Sequence, residues 1–388
     1  MDELNEKIRA LSRKRNEFFL LHPEATRAAF LREIKHDCQK RFPIAPGQAA
    51  LTAFLTGRIL GLSPEFDQNA VDSLNKSLRL DVNNAAAWIE LGKCAWKKPD
   101  LEQALSSFKQ AVEIKADSRS LSFYSAVLRS QASRSADIKQ KLLLIRECVE
   151  MCKKAVDEDP TYPFAWYSLA NTYLLRFFAT AQLDPRDLDH AAEAYERALS
   201  QERPFVNADC HINYHEVLLY QQKYRLALEH AQQAVRIEPH FESALDRLDA
   251  FQTFLLSLER GDQKKRKIKD LISSLNSAQS AEGTKTLDEL QVGANPEVTI
   301  AVKVVSVVSH NNQVPFTAIV LDRNSNCFGV TIFNFSSALN LLVGDTLRIP
   351  APLVLHVNDD PSLLERNEKP LGRQVRALTD ASFRFQEK

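Results

Sequence analysis

Residues 85–118 read AAAWIELGKCAWKKPDLEQALSSFKQAVEIKADS. Trp88, Leu91 and Gly92 mark a first helix, and Ala104, Phe108 and Ala111 mark a second. Gly92 and Ala104 are small where the two helices meet, while Trp88, Leu91 and Phe108 fill the space around that contact. One such hairpin cannot bury its own apolar face, so the stretch demands neighbours of its own kind.

The spacing W-x2-L-G, then A-x3-F-x2-A, is the frame of a tetratricopeptide repeat, a helix–turn–helix unit of about 34 residues. Four further copies are legible. The first starts at Ala50, with Gly57 at the small position of helix A and Ala70, Leu74 and Ser77 in helix B. The third has Leu121, Tyr124, Ser125 and Leu128, then Cys148, Cys152 and Ala155 ahead of Pro160. Trp166, Leu169, Ala170 and Tyr173 open the fourth, and Ala191, Tyr195 and Ala198 close it. Tyr214, Leu218, Ala227, Ala231 and Ala234, followed by Pro239, make the fifth. Trp88 lies 16 positions before Ala104, but Trp166 lies 25 before Ala191 and Leu121 lies 27 before Cys148. These insertions are expected to lengthen helices or loops on one rim.

The organisation follows from these marks. Residues 1–49 form an N-terminal helical cap of two helices broken at His22-Pro23 and closed by Pro43, Pro46 and Gly47. Residues 50–260 are the repeats, with the apolar-striped FESALDRLDAFQTFLLSLER (241–260) as terminal helix. A basic, turn-rich linker covers 261–296. Periodicity then turns strand-like in VTIAVKVVSVVS (298–309), VPFTAIVLDR (314–323) and CFGVTIFNF (327–335). A short helical SSALNLL, VGDTLRIP and a strand within 375–386 follow, an order that predicts an OB-like barrel over 297–388. The fold class is mainly α, a tetratricopeptide-repeat superhelix followed by a C-terminal OB-like β-barrel. Phe316, Phe328, Phe333 and Phe335 are expected in the barrel core rather than on a nucleic-acid face.

Fifty basic and fifty acidic residues cancel, so any electrostatic partner must be read locally. No apolar run is long enough to span a bilayer, and MDELNEKIRALSRKR lacks a signal-peptide core. Six scattered cysteines fit neither a disulfide scaffold nor a paired zinc frame, which predicts a reduced, intracellular protein. His211 and His215 are four apart, but HINYH lacks the zincin glutamate, and repeat positions 4 and 8 pack between helices. No nucleophile elbow, phosphate loop or dinucleotide motif is present, so no enzyme, metal or cofactor is expected.

Function is then sought in the groove lined by the A helices, at repeat positions 2, 5, 6, 9, 12 and 13. These are Glu90, Lys93, Trp96 and Lys97 in the second repeat, and Arg119, Phe123 and Arg129 in the third. The fourth contributes Tyr167 and Asn171, and the fifth Asp209, Asn213, Glu216 and Tyr220. Asparagine is a poor helix former whose amide can both donate to and accept from a peptide backbone. Arg129 and Asp209 make the groove bipolar, complementary to a peptide with one acidic and one basic side chain. A co-chaperone groove would need clustered cations for a C-terminal carboxylate, and these positions are mixed in sign. The run Arg260, Lys264, Lys265, Arg266, Lys267 and Lys269 suits RNA phosphates, nuclear import or a solvated helix end.

The domain order and the stretches WIELGKCAWKKPDLEQA, SAVLR, FAWYSLANTYL, VPFTAIVLD and VGDTLRIP resemble the tetratricopeptide repeat protein 5 (Strap) family from about residue 50 onward. The resemblance implies a non-enzymatic adaptor for the N-terminal Met-Arg-Glu-Ile or Met-Arg-Glu-Cys of nascent α- and β-tubulin at the ribosome. The resemblance further implies that recognition recruits an mRNA-decay adaptor and a deadenylase, so that tubulin mRNA decays. A second implied role is a nuclear stress-response cofactor bridging a histone acetyltransferase coactivator, giving a protein of cytoplasm and nucleus. Arg129 in SAVLR matches the arginine that meets the peptide glutamate, and Asp209 in NADCHIN the aspartate that meets the peptide arginine. Asn171 and Asn213 match groove asparagines. A family glutamate falls near Ser243 here, with Glu242 one place off. The segment from Lys264 to Lys269 matches the ribosome-contacting lysines in character rather than residue by residue.

Overall fold

A computed structural model describes residues 2–39, 48–98, 100–180, 184–202, 205–261, 268–276, 283–307, 316–332, 341–356 and 376–380. Its contacts fall into two compact units. The first comprises Met1–Thr180, Asp184–Tyr214 and Gln233–Phe241; the second includes His215–Gln232 and the chain from Glu242 onward.

In the first unit, α1 (Asp2–Leu21) and α2 (Arg27–Gln39) are separated at His22-Pro23 as expected. Ile8, Leu11, Phe18, Phe19 and Ile34 bury against Phe54, Leu55 and Ile59 of α3 (Ala49–Leu60), which closes the start of the stack. Hairpins follow in register: α3 with α4 (Gln68–Leu80), α5 (Ala85–Lys97) with α6 (Leu101–Ile114), α7 (Ser118–Arg134) with α8 (Ile138–Glu158), and α9 (Pro163–Ala179) with α10 (Arg186–Leu199). Aspartates start several of these helices. Asp67, Asp100, Asp117 and Asp137 each accept a hydrogen bond from a backbone N–H of the first turn, satisfying a donor that the helix cannot.

The packing logic of the repeat holds at atomic scale. The fifteen helix-B positions read from the sequence, from Ala70 to Ala234, are all at 0% exposure. A Cβ on Gly57 would lie 2.6 Å from Leu74, and one on Gly92 would lie 2.6 Å from the Phe108 ring. Trp88 and Trp166, at equivalent positions, each donate from Nε1 to a carbonyl six residues back, Val82 and Pro160, at 2.8 Å. The insertion in the third repeat is helical: α7 has 17 residues and α8 has 21, against 13 and 14 for α5 and α6. Successive A helices α3, α5, α7 and α9 also touch one another, so they line a common inner layer.

α11 (Ala208–Tyr220) and α12 (Tyr224–Ile237) form the fifth hairpin, and α13 (Glu242–Gly261) is the terminal helix. Within the second unit, Phe251 and Phe254 of α13 are buried and stacked, with Tyr224 and His215 edge-on to them. His215 is thus a packed core residue, its Nδ1 2.8 Å from the Ala227 carbonyl oxygen. Cys38, Cys94, Cys148, Cys152 and Cys210 are buried thiols.

After α14 (Ile268–Asn276) come, among the described residues, seven strands: β1 (Gly293–Ala294), β2 (Thr299–Val307), β3 (Phe316–Leu321), β4 (Cys327–Ile332), β5 (Thr346–Pro350), β6 (Leu353–His356) and β7 (Arg376–Asp380). The sheet order is β1-β6-β7-β4-β3-β2-β5, antiparallel except for β4 beside β7. β5 and β6 are one strand bent at Pro350–Pro352, where Ala351 takes φ 47°. Its first half pairs with β2 and its second with β7, which closes the sheet into the OB barrel. Phe316 and Phe328 lie in the core with Val302, Val330 and Ile349. Phe333, Phe335 and most of SSALNLL lie outside the described residues.

Candidate functional site in the repeat groove

The A helices of the third, fourth and fifth repeats bring the expected groove residues together. Arg129, half-buried on α7, donates from Nη1 to the Ser168 carbonyl of α9 at 3.3 Å. Asn171, one turn further along α9, is buried. Its Oδ1 accepts from the Tyr195 hydroxyl at 2.5 Å and from Asn213 Nδ2 of α11 at 3.1 Å. The Asn171 carbonyl is therefore spent on holding Asn213, whose half-buried amide has bonding capacity beyond the one hydrogen it gives. Asp209 sits exposed in the first turn of α11, where a carboxylate is favoured by the helix dipole.

Tyr167 registers both charges. Burial first, and then the Asp209 carboxylate, push its phenol up to about 12, while Arg129 and a hydrogen bond with Asn171 pull it back. The groove is thus bipolar around one ring. Sequence reasoning missed a second carboxylate at the acidic end. Glu238 is exposed, yet loss of hydration at its carboxyl and the Asp209 charge raise it, while Arg27 of α2 lowers it. Glu238 lies after the fifth B helix, where no repeat position points to it.

Glu216 and Glu242 belong to the second unit. Glu242 is exposed at the start of α13. Glu216 is buried, and Arg247 donates to its Oε2 at 3.0 Å. Burial raises the Glu216 carboxyl to about 7, partly offset by Arg247, while burial lowers its neighbour His215 to about 4. The signs oppose. A carboxyl raised on folding loses stability as pH rises from about 4.5 to 7, and a histidine lowered on folding loses it as pH falls from about 6.5 to 4. The two slopes cancel between those limits in the wild type. Glu216→Gln is expected to unmask the histidine, giving a stability loss of about 3 kcal/mol between pH 6.5 and 4 by chemical denaturation. An unchanged, flat profile would refute the assignment.

Lys264, Lys265, Arg266 and Lys267 lie outside the described residues, and Lys269 falls in α14. A second cluster gathers three groove positions given by register, Glu90, Lys93 and Arg119, around a cation that register reading left out, Arg58. Glu90 on α5 is buried and paired with Lys93 at 2.7 Å, Arg119 of α7 at 2.5 Å and Arg58 of α3 at 3.8 Å. Arg58 follows Gly57 as Lys93 follows Gly92, so the repeat register itself places it in the groove.

The comparisons with known proteins agree with this architecture. The tetratricopeptide repeat family matches residues 85–118, and the "Tetratricopeptide repeat protein 5 OB fold domain" family matches residues 283–374. Tetratricopeptide repeat protein 5 of Mus musculus is 30% identical over 329 residues, covering 79% of this chain and 74% of that protein. The chain belongs to the tetratricopeptide repeat protein 5 family. The Homo sapiens member is 29% identical over 376 residues, covering 87% of this chain and 84% of its own length. A thermophilic tetratricopeptide repeat protein of Thermus thermophilus is similar to 53% of this chain over 99% of its own, at 16% identity and a TM-score of 0.44. As a member of the tetratricopeptide repeat protein 5 family, the chain is a repeat protein of adaptor type that carries an OB-fold domain. No described helix is long and apolar enough to cross a membrane.

Proposed function

We propose that the groove around Tyr167 reads the N-terminal tetrapeptide of nascent tubulin at the ribosome, so that tubulin mRNA decay follows recruitment of a decay adaptor and deadenylase. The carrying observation is the pair of opposite charges, Arg129 and Asp209, acting on one buried tyrosine. Arg129 takes the peptide glutamate, and Asp209 with Glu238 takes the peptide arginine. Glu238 offers the acidic end a second carboxylate, where the family glutamate falls near Ser243 with Glu242 one place off. Asn213 addresses the peptide backbone, with Asn171 holding it in place. The basic segment Lys264–Lys269 contacts ribosomal RNA phosphates, where its charge is of use regardless of sequence. The site of action is the cytoplasm.

Binding of a fluorescent Met-Arg-Glu-Ile peptide, against a Met-Glu-Arg-Ile swap, tests this reading. The swap places like charges together at both ends, so the native order is expected to bind selectively. Arg129→Ala and Asp209→Ala are each expected to cost about 1.5–3 kcal/mol, roughly ten- to a hundredfold in Kd. Equal binding of the two peptides by the folded wild type would remove the proposal's basis.

A further inference from the structure

The three cations around Glu90 come from three successive A helices, α3, α5 and α7, and they share that one carboxylate among the described residues. Arg58, Lys93 and Arg119 keep 26, 27 and 32% of their side chains exposed, so the cluster is recessed but reachable. Two more cations crowd the same region without a carboxylate of their own among the described residues. Arg15 of α1 donates to the Leu62 carbonyl at 3.4 Å, and Lys97 donates to the carbonyls of Gly61 and Ser63. In a chain of zero net charge, five half-buried cations around one anion are a local excess that composition does not explain.

We propose that this cluster is a second binding site, which takes an acidic side chain of an extended peptide from a partner protein, with Arg58 and Arg119 as its principal donors. Arg58 approaches Glu90 only to 3.8 Å and makes no hydrogen bond to a described residue, leaving its planar fork for a bidentate oxyanion. Lys93 lies 5.8 Å over the Phe123 ring, and Phe123 continues to Phe164 at 4.8 Å. This aromatic path suits the flanking side chains of an extended peptide. A nucleic acid would instead ask for exposed cations repeated along a backbone. Burial, reinforced by Arg119 and offset in part by Glu90, pushes both Arg58 and Lys93 below their ordinary values. An incoming anion relieves that cost. The site does not rest on the tetrapeptide reading, since neither Arg129 nor Asp209 belongs to it.

The test uses the full chain and a dye-labelled Gly-Ser-Tyr-Glu-Glu-Gly-Ser peptide in fluorescence anisotropy. Its counterparts carry two glutamines or two phosphoserines in place of the glutamates. The glutamate peptide is expected to bind at least roughly tenfold more tightly than the glutamine peptide, with affinity falling as salt rises. That comparison needs no variant. Tighter binding of the phosphoserine peptide would identify a phosphoryl group as the natural oxyanion, and weaker binding a carboxylate. Arg58→Gln with Arg119→Gln is expected to remove the glutamate preference, whereas Lys109→Gln, at an exposed pair with Glu113, leaves it intact. Arg58→Lys with Arg119→Lys keeps the charge and is expected to retain part of the binding. Indistinguishable binding of the glutamate and glutamine peptides, or a full glutamate preference in the folded double-glutamine variant, would overturn the proposal.

Discussion

Replacing Glu90 by glutamine is expected to lower the stability of the repeat unit by about 3–5 kcal/mol at neutral pH, the cost of leaving buried charges without their partner. Glu90 is 2% exposed, and Lys93, Arg119 and Arg58 converge on it. Burial alone would raise its carboxyl, but Lys93, Arg119 and Arg58 together override burial and hold it at about 2. The variant therefore loses more than one attraction: three half-buried cations are left to repel one another. Because the folded carboxyl is depressed, its contribution is fully present above about pH 4.5 and is lost as pH falls towards 2. The deficit of Glu90→Gln should accordingly shrink in acid. The three tryptophans, Trp88, Trp96 and Trp166, all lie in the first unit, so their fluorescence in a urea titration reports this change. A loss under about 1 kcal/mol at neutral pH would mean that the pairs are worth no more than surface ones.

Phe108→Ala is expected to cost about 3–5 kcal/mol, the range for emptying a buried aromatic site. Phe108 is fully buried, stacked on Phe123 at 5.4 Å, edge-on to Trp96 at 5.8 Å, and pressed against Gly92. The ring also decides the sign of a second substitution. In the wild type, Gly92→Ala drives a Cβ into the Phe108 ring and should destabilise by about 1–3 kcal/mol. With the ring gone that clash disappears, and the helix propensity of alanine over glycine remains, worth up to about 1 kcal/mol. Gly92→Ala should then be neutral or stabilising. The double-mutant cycle, followed by the same fluorescence, measures the coupling. Additive costs would show that Gly92 is small for some reason other than Phe108.

The contrast between these two sites shows where sequence reading stops. Gly92 and Phe108 were legible because a repeat recurs: the helix-B spacing of Ala104, Phe108 and Ala111 returns in all five repeats, from Ala70, Leu74 and Ser77 to Ala227, Ala231 and Ala234. Trp88 and Trp166 were legible for the same reason, and the strands of the barrel by their β-branched runs. The position of Arg129, Asn171, Asp209 and Asn213 on the A helices also follows from register alone. Register does not say what those side chains do to one another. Asn171 and Asn213 are 42 residues apart, and their hydrogen bond exists only because α9 and α11 are neighbours. It takes up the Asn171 side-chain oxygen, an acceptor that Asn213 and Tyr195 share.

Glu90 looked like one charge in a groove of mixed sign. Stacking α3, α5 and α7 put Arg58, 32 residues before it, and Arg119, 29 residues after it, on the same carboxylate. Likewise VGDTLRIP marked β5 alone, and only the pairing with β2 and β7 showed a strand that bends on into β6 and closes the barrel. The sequence by itself therefore determined the repeat register and the long strands β2, β3 and β4, because local spacing and short-range packing settle those. Only the tertiary structure decided which charges share a partner and which carboxyls are buried. Electrostatic free energy depends on distance and dielectric in three dimensions, and neither is a function of position along the chain.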